Sequence, residues 1–399
     1  MEATERAVRK ALQFGAGNVG RGVIGLLLSQ SGYQVVFVDI IEPLVELINR
    51  QRGYTVRVVG VDGQKEITVE NVTAINAKKE GTLVEEISRA TLITTAVGPG
   101  ALQAIAPVIA GGLQRRADLN LQAPLNIIAC ENLIDNSKVL QKHVLSHLSA
   151  DYRDYAQSFV GFPSCVVDRV IPTMRGGGEG RDPLSVVVEE HFQLVADRRG
   201  FVGEPPAIGG MLLADDLDAY AEQKLFTLNT AHAIAAYLGY LKGYGFIHEA
   251  IRDPEIRRVV SGALQECSAV LIKRHNFDPA EQERYAAGVL KRFENVALQD
   301  PVVRVAREPR RKLGPTDRLV KPAVLALESG VTPTYLATGI AVALLYDYPG
   351  DKQATALSRD LKEKGVDRML NEVCDLAPDS ALTELVKERM VEVRTRRDA

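Results

Sequence analysis

Only four cysteines occur in this 399-residue chain, and Cys130, Cys165, Cys267 and Cys374 are far apart, with no metal-ligand spacing. Their apolar neighbours fit reduced thiols and a cytoplasmic protein, not a disulfide framework. No apolar run approaches the ~20 residues needed to span a bilayer. Residues 1–10 are charged and lack an apolar core, so no secretory leader is expected. Neither sign of charge dominates: 48 Lys and Arg face 51 Asp and Glu, a net charge of −3. Nothing global therefore draws the chain to nucleic acid or to an anionic membrane. Low-complexity segments and internal repeats are absent as well, and the length is enough for two substantial cores.

What is present is a β–α alternation. Strands are expected at 10–14, 34–39, 54–60, 67–72, 91–97 and 125–130, and helices at 19–30, 42–52 and around 101–113. Such alternation predicts a parallel, doubly wound sheet. Residues 164–171 and 184–192 are expected to extend it, and 112–123 and 175–182 to form exposed loops. Gly176-Gly-Gly-Glu-Gly180 has no helix after it to help cradle a phosphate and reads as a turn. From about residue 215 the pattern becomes helical. The Gly- and Pro-rich segment 200–210 is the expected boundary between a dinucleotide-binding domain, 1–205, and a helical domain, 206–399. The charged helices of the last ~50 residues and the tail Arg394-Thr-Arg-Arg397 are expected to be solvated.

Between the first strand and first helix stands Phe14-Gly15-Ala16-Gly17-Asn18-Val19-Gly20-Arg21-Gly22. A GxGxxG pattern is weak alone, but its placement is the one that dinucleotide binding requires. Gly15 allows the tight turn, Gly17 lets backbone approach a pyrophosphate, and Gly20 permits close helix–strand packing. The first N–H groups of the helix then face the anion. Asp39 ends the second strand, 19 residues past Gly20. Its carboxylate can accept from a ribose 2′-hydroxyl and would repel a 2′-phosphate, which favours NAD over NADP. Thr94-Thr95-Ala96-Val97-Gly98 ends a later strand and should line the same edge. Phe14 to Arg21, Asp39, Thr95 and Val97 are thus the expected cofactor contacts. The plainer alternative is a Gly-rich turn used only for packing.

Near the middle runs Lys224-Leu-Phe-Thr-Leu-Asn229-Thr-Ala-His232, inside a segment, 222–238, free of Pro and Gly. At about 100° per residue, Lys224, His232 and Asn229 fall near ~0°, ~80° and ~140° of one helix. The remainder is apolar nearly all round and should be buried. A lysine held in low dielectric beside an amide and an imidazole can act as a base with an oxyanion clamp. The alternative is a Lys snorkelling at a helix start, with Asn and His satisfied in the core. Further on, Arg304, Arg307, Arg310, Arg311 and Lys312 place five cations within nine residues of a mildly acidic protein. Arginines can hold phosphate oxygens bidentately, although a solvated helix end explains such a run equally well. No aromatic residues interleave the cations, so a nucleic-acid surface is not expected. His143 and His147 lack the acidic partner of a metalloprotease helix and read as surface residues. His191, His248 and His275 carry no constellation.

Taken together, Gly15 to Gly22, Thr94 to Pro99, Ala129-Cys-Glu-Asn132, Asp168-Arg-Val-Ile-Pro172 and Lys224 to His232 resemble the polyol-specific long-chain dehydrogenases. Arg292-Phe-Glu-Asn295, Arg311-Lys-Leu313 and Asp317-Arg-Leu-Val-Lys-Pro322 add to the likeness, which covers roughly residues 10–345. The resemblance implies an α/β fold: an N-terminal Rossmann-type doubly wound sheet and a C-terminal all-helical domain. It also implies catalysis in the cleft between them, NAD as cofactor and no metal. Carried over, Lys224 is the general acid/base, Asn229 and Asn132 hold the reacting oxygen, and His232 orients the sugar or the lysine. A plainer role for Asn132 is a helix cap. Positions matching Arg304 and Lys312 contact sugar oxygens in the family, leaving Arg307, Arg310 and Arg311 as candidates for a phosphate. The implied reaction reduces fructose 6-phosphate to a hexitol phosphate, a small-molecule partner, in a monomer or small homo-oligomer. A free polyol or a hexuronate is the alternative substrate, and a non-catalytic NAD(H)-sensing module the alternative class.

Overall fold

The computed structural model describes residues 9–133, 135–172 and 182–398, with side chains up to Thr395. The turn at Gly176 to Gly180 and nearly all of the expected loop 175–182 lie outside the described residues. Two compact units divide between Tyr220 and Ala221.

The first unit is built on six parallel strands. They are β1 (Lys10–Phe14), β2 (Gln34–Asp39), β5 (Val72–Asn76), β6 (Leu92–Thr95), β7 (Leu125–Ala129) and β8 (Val160–Gly161), in the order β5-β2-β1-β6-β7-β8. Between β2 and β5 the chain inserts an antiparallel hairpin, β3 (Gly53–Val59) and β4 (Gln64–Glu70). Apart from their ends these strands are nearly continuous apolar runs, as expected when helices cover both faces of a sheet. Setting the hairpin aside, the order is 3-2-1-4-5-6, the doubly wound arrangement whose ligands bind where the winding reverses. That switch lies between β1 and β6, where Phe14 and Thr95 are register partners.

Three expectations need correction. The strand read at 67–72 is two: Asn71, at φ 58°, ends β4, which returns along β3, and starts β5, which joins β2. The strands read at 164–171 and 184–192 do not extend the main sheet. β9 (Cys165–Asp168) pairs with β11 (Gln193–Asp197), which also pairs with β12 (Met211–Ala214), while β10 (Val186–Glu189) joins β3. Finally, the loop read at 112–123 is helix as far as Asp118. Gly112 is there for close packing, because a Cβ would overlap Ile87 of the helix Glu80–Arg89. Arg116 then bonds the carbonyls of Ser88, Ala90 and Ala123 and fastens the helix end.

The second unit, among its described residues, consists of helices joined by loops, with one isolated β-bridge between Phe246 and Pro301. Its centre is Thr230–Leu241, packed against Val302–Ala306, Pro254–His275 and Thr334–Leu344. None of the described helices is long and apolar enough to cross a membrane.

The glycines of the first turn are not equivalent. A Cβ at Gly20 would overlap the Gly15 carbonyl oxygen, whereas one at Gly17 meets nothing within 4 Å. Gly20→Ala should therefore lower the melting temperature by about 5 °C or more, by the usual cost of overpacking. Gly17→Ala should leave it within about 1 °C. Equal shifts for the two variants in a thermal melt would contradict this packing.

Candidate active site

Gly15 leaves β1 at φ +89°, its N–H donating to the Val38 carbonyl at 2.7 Å. Only a residue without Cβ fits there, because a side chain would press on the Ala96 carbonyl. Phe14 and Ala16 are buried, while Gly17, Asn18 and Val19 form an exposed tip. The helix that follows opens as a π turn, Gly20–Gly25, before continuing as α over Leu26–Gln30. Asp39 ties the end of β2 to this loop: Oδ2 accepts from Ala16 N at 2.8 Å and Oδ1 from Ile41 N at 3.0 Å. Each oxygen keeps a lone pair for a ribose hydroxyl. Ile40, 70% exposed, gives the position after Asp39 no cation for a 2′-phosphate. These features fit a dinucleotide without a 2′-phosphate.

Arg21 is turned inward, its guanidinium bonding the Ala16 and Leu184 carbonyls, and burial lowers its pKa. Tyr54 Oη bonds the Arg21 carbonyl at 2.8 Å. The side chain thus braces the loop from behind. Thr95 is also turned inward, its hydroxyl donating to Glu131 Oε2 at 2.8 Å, and Val97 N donates to Glu131 Oε1 at 2.9 Å. Glu131 is a buried carboxylate that joins the ends of β6 and β7, a role sequence reasoning missed although it adjoins Asn132. Asn132 itself is exposed, and the cap position of the following helix Asn136–Ser146 is Asp135. Cys130 and Cys165, remote in sequence, are free thiols with sulfurs 3.8 Å apart.

The helical stretch 217–241, which begins in the first unit and runs into the second, contains a π turn, Leu225–Asn229, between α segments. Uniform α geometry was the basis of the expected arc, so the arc changes. A π turn accommodates one extra residue, which turns everything after it back by up to about 100°. Asn229 and His232 therefore move towards the azimuth of Lys224. Within 222–238 the residues that are not fully buried are Lys224, Leu225, Asn229 and His232. The polar three thus share one open line on a helix buried elsewhere. The π turn is supported from inside: Gln223 Nε2 donates to Gln282 Oε1 at 2.9 Å, and Gln282 Nε2 to Thr227 Oγ1 at 3.3 Å. Thr230 Oγ1 lies 2.6 Å from the Arg318 carbonyl and 3.0 Å from that of Leu225.

Beside this line, Asp300 accepts from His232 Nε2 at 3.1 Å and bidentately from Arg304 at 2.6 and 2.7 Å. Burial alone would raise the pKa of this carboxyl, but His232 and Arg304 hold it down to about 2. Sequence reasoning missed Asp300 too, since its partners come from separate helices. The basic run divides in the structure. Arg310 is paired with Asp360, and Arg311 with Glu308 and Asp317, while Arg307 is exposed and makes no ion pair among the described residues. Lys312 is buried, donates to the Arg307 carbonyl, and has its pKa lowered to about 7 by burial and by Arg318 and Arg311. Two histidines read as unconnected have carboxylate partners: His191 lies 3.5 Å from Asp168, and His275 lies 2.7 Å from Glu222. Among the described residues, no group of three or more His, Cys, Asp or Glu is placed to hold a metal.

Lys312 has a measurable consequence. Between pH 7 and 10.5 the folded chain binds fewer protons at this site than the unfolded chain, so stability rises with pH across that window. The cost of burying the ammonium is complete below about pH 7 and fades towards 10.5. Lys312→Met should therefore gain most over the unsubstituted protein at or below pH 7, with the gain shrinking at alkaline pH. Denaturant melts at several pH values test this, and a pH-independent difference contradicts it.

Comparisons with known proteins bear on the fold and the family. The family described as mannitol dehydrogenase Rossmann domain matches residues 9–210, and the mannitol dehydrogenase C-terminal domain matches 216–393. A mannitol-1-phosphate 5-dehydrogenase of Geobacillus stearothermophilus is 45% identical over 381 residues, covering 95% of this chain and 98% of that protein. One from Bacillus subtilis (strain 168) is 46% identical over 384 residues, covering 95% and 99%. The solved Pseudomonas fluorescens mannitol 2-dehydrogenase, a ternary complex with NAD and D-mannitol, is 19% identical with a TM-score of 0.74. It covers 99% of this chain and 94% of its own, a likeness of fold. The Gly-rich turn, the strand order and two matched domains lead to one conclusion: the chain belongs to the mannitol dehydrogenase family and is an NAD-dependent oxidoreductase.

Proposed function

We propose that the chain interconverts D-mannitol 1-phosphate and D-fructose 6-phosphate, with Lys224 carrying the proton. The observation that carries this reading is the open line of Lys224, Asn229 and His232 on an otherwise buried helix. Curated relatives named mannitol-1-phosphate 5-dehydrogenase, aligned over 95% of the chain, support the substrate. On this reading the first unit binds the dinucleotide through Gly15 to Val19 and Asp39, with Arg21, Thr95 and Glu131 holding that surface in shape. The second unit handles the sugar and the proton, in a cytoplasmic protein acting on a small soluble metabolite.

Bound NADH supplies a hydride to the carbonyl carbon of the ketose. Lys224, as ammonium, gives its proton to the carbonyl oxygen; in the reverse direction the free amine takes the alcohol proton. Asn229 donates a hydrogen bond to that oxygen while it carries charge. The ammonium and the amide together stabilise the developing charge. His232, Arg304 and Lys312 hold sugar oxygens. Arg307 takes the phosphate, because Arg310 and Arg311 are already committed to carboxylates.

The test is NADH oxidation with fructose 6-phosphate, fructose, tagaturonate and fructuronate, in the unsubstituted enzyme and in Arg307→Ala. Fructose 6-phosphate should lead in kcat/KM by about 100-fold or more, a range in keeping with charge-assisted phosphate recognition. Arg307→Ala should raise its KM by about 10- to 100-fold and change turnover of fructose by less than about threefold. Comparable turnover of fructose or a hexuronate contradicts the substrate assignment, and an unchanged KM contradicts the arginine.

A further inference from the structure

A side-chain unit in the helical half has a direction that the proposed reaction does not yet use. Asp300 is 4% exposed and anchored through its own backbone, its carbonyl accepting from Ile247 N at 3.0 Å. Its carboxylate oxygens face two side chains at once, His232 through Nε2 and Arg304 through Nε and Nη2. A carboxylate without a proton can only accept. Nε2 of His232 must therefore carry the hydrogen, and in the neutral ring Nδ1 is left as an acceptor. The ring plane is fixed as well, by stacking on Phe293 at 4.8 Å and 23°. On Arg304, Nε and Nη2 are used and Nη1 is left over; neither it nor His232 Nδ1 has a hydrogen bond among the described residues.

We propose that Asp300 is a positioning residue that fixes the His232 tautomer and the Arg304 guanidinium plane. In that arrangement Nδ1 accepts from one hydroxyl of an open-chain sugar while Nη1 donates to another oxygen. The inference rests on the reading that His232 and Arg304 face the substrate. A polyol or open-chain ketose, with a donor and an acceptor on neighbouring carbons, matches such a pair. A ligand bearing only acceptors does not, because Nδ1 would be left without a donor.

Nitrogen-15 spectra of histidine-labelled, substrate-free protein test the tautomer directly, with no substitution and no turnover. Hydrogen at Nε2 and a bare Nδ1 on His232 are expected. Hydrogen at Nδ1, in the other tautomer or in an imidazolium, overturns the proposal. Kinetics give a second test. Asp300→Asn should raise KM for fructose 6-phosphate by about 10- to 100-fold, as loss of an oriented charge-assisted contact does, with NADH affinity within about twofold. Adding His232→Ala to it should cost less than about threefold more, since the two act as one unit. Fully multiplicative losses, or an effect confined to melting temperature, assign Asp300 to the scaffold and overturn the proposal. Absence of fructose 6-phosphate turnover in the unsubstituted enzyme would instead defeat the functional reading and leave the tautomer result standing.

Discussion

A helix surrounded by apolar partners has no place for an ammonium, an amide and an imidazole unless one line of its surface stays open. In 222–238 that line is Lys224, Leu225, Asn229 and His232, and the other positions are buried. Burial of Phe226, Ala231, Ile234, Ala235 and Tyr237 fixes how the helix can be rotated, so the direction of the polar line is set by packing. The π turn sharpens it. Opening i→i+4 bonds has a cost, and the Gln223–Gln282–Thr227 chain and the Thr230 hydroxyl offset part of it with bonds to buried groups. π turns recur at functional sites because they re-aim side chains without ending a helix.

Charge around this helix is organised on the same plan. Asp300 is deeply buried yet ionised, compensated by two cationic or polar donors whose remaining atoms are thereby aimed. Lys312 lies in the opposite condition, a buried cation beside Arg311 and Arg318 whose affinity for a proton is low. An anion arriving nearby would favour its charged form. In the first unit the same logic appears in carboxylates: Asp39 bonds the backbone N–H groups of Ala16 and Ile41, and Glu131 bonds the Val97 N–H and the Thr95 hydroxyl, so each ties down the end of a strand.

Much of this was legible in the chain, and the reason differs from place to place. The strand at Lys10–Phe14, the glycine turn and Asp39 are local: period, composition and spacing carry them. The break at Asn71 and the helical continuation through Gly112 were not legible, because each depends on a partner distant in sequence. β9 and β10 read correctly as strands and were assigned to the wrong sheet, since a strand pattern does not say which partner the strand will pair with. The polar line at Lys224 was legible as three residues on one arc; its narrowing was not, because a uniform helical period hides a π turn. Asp300 and Glu131 show the limit most clearly. Asp300 stands in no motif and Glu131 stands in one that does not reveal its task, and both roles come from what folding brings beside them.

The central claim is that the nitrogen of Lys224 moves the proton. Lys224→Ala supplemented with small primary amines measures this most directly. Turnover should fall by a factor on the order of 10²–10⁴ with NADH binding intact. Added alkylamines should restore part of it, in an order that follows their basicity. A variant that binds both ligands normally and either keeps its turnover or is unresponsive to every amine would contradict the account.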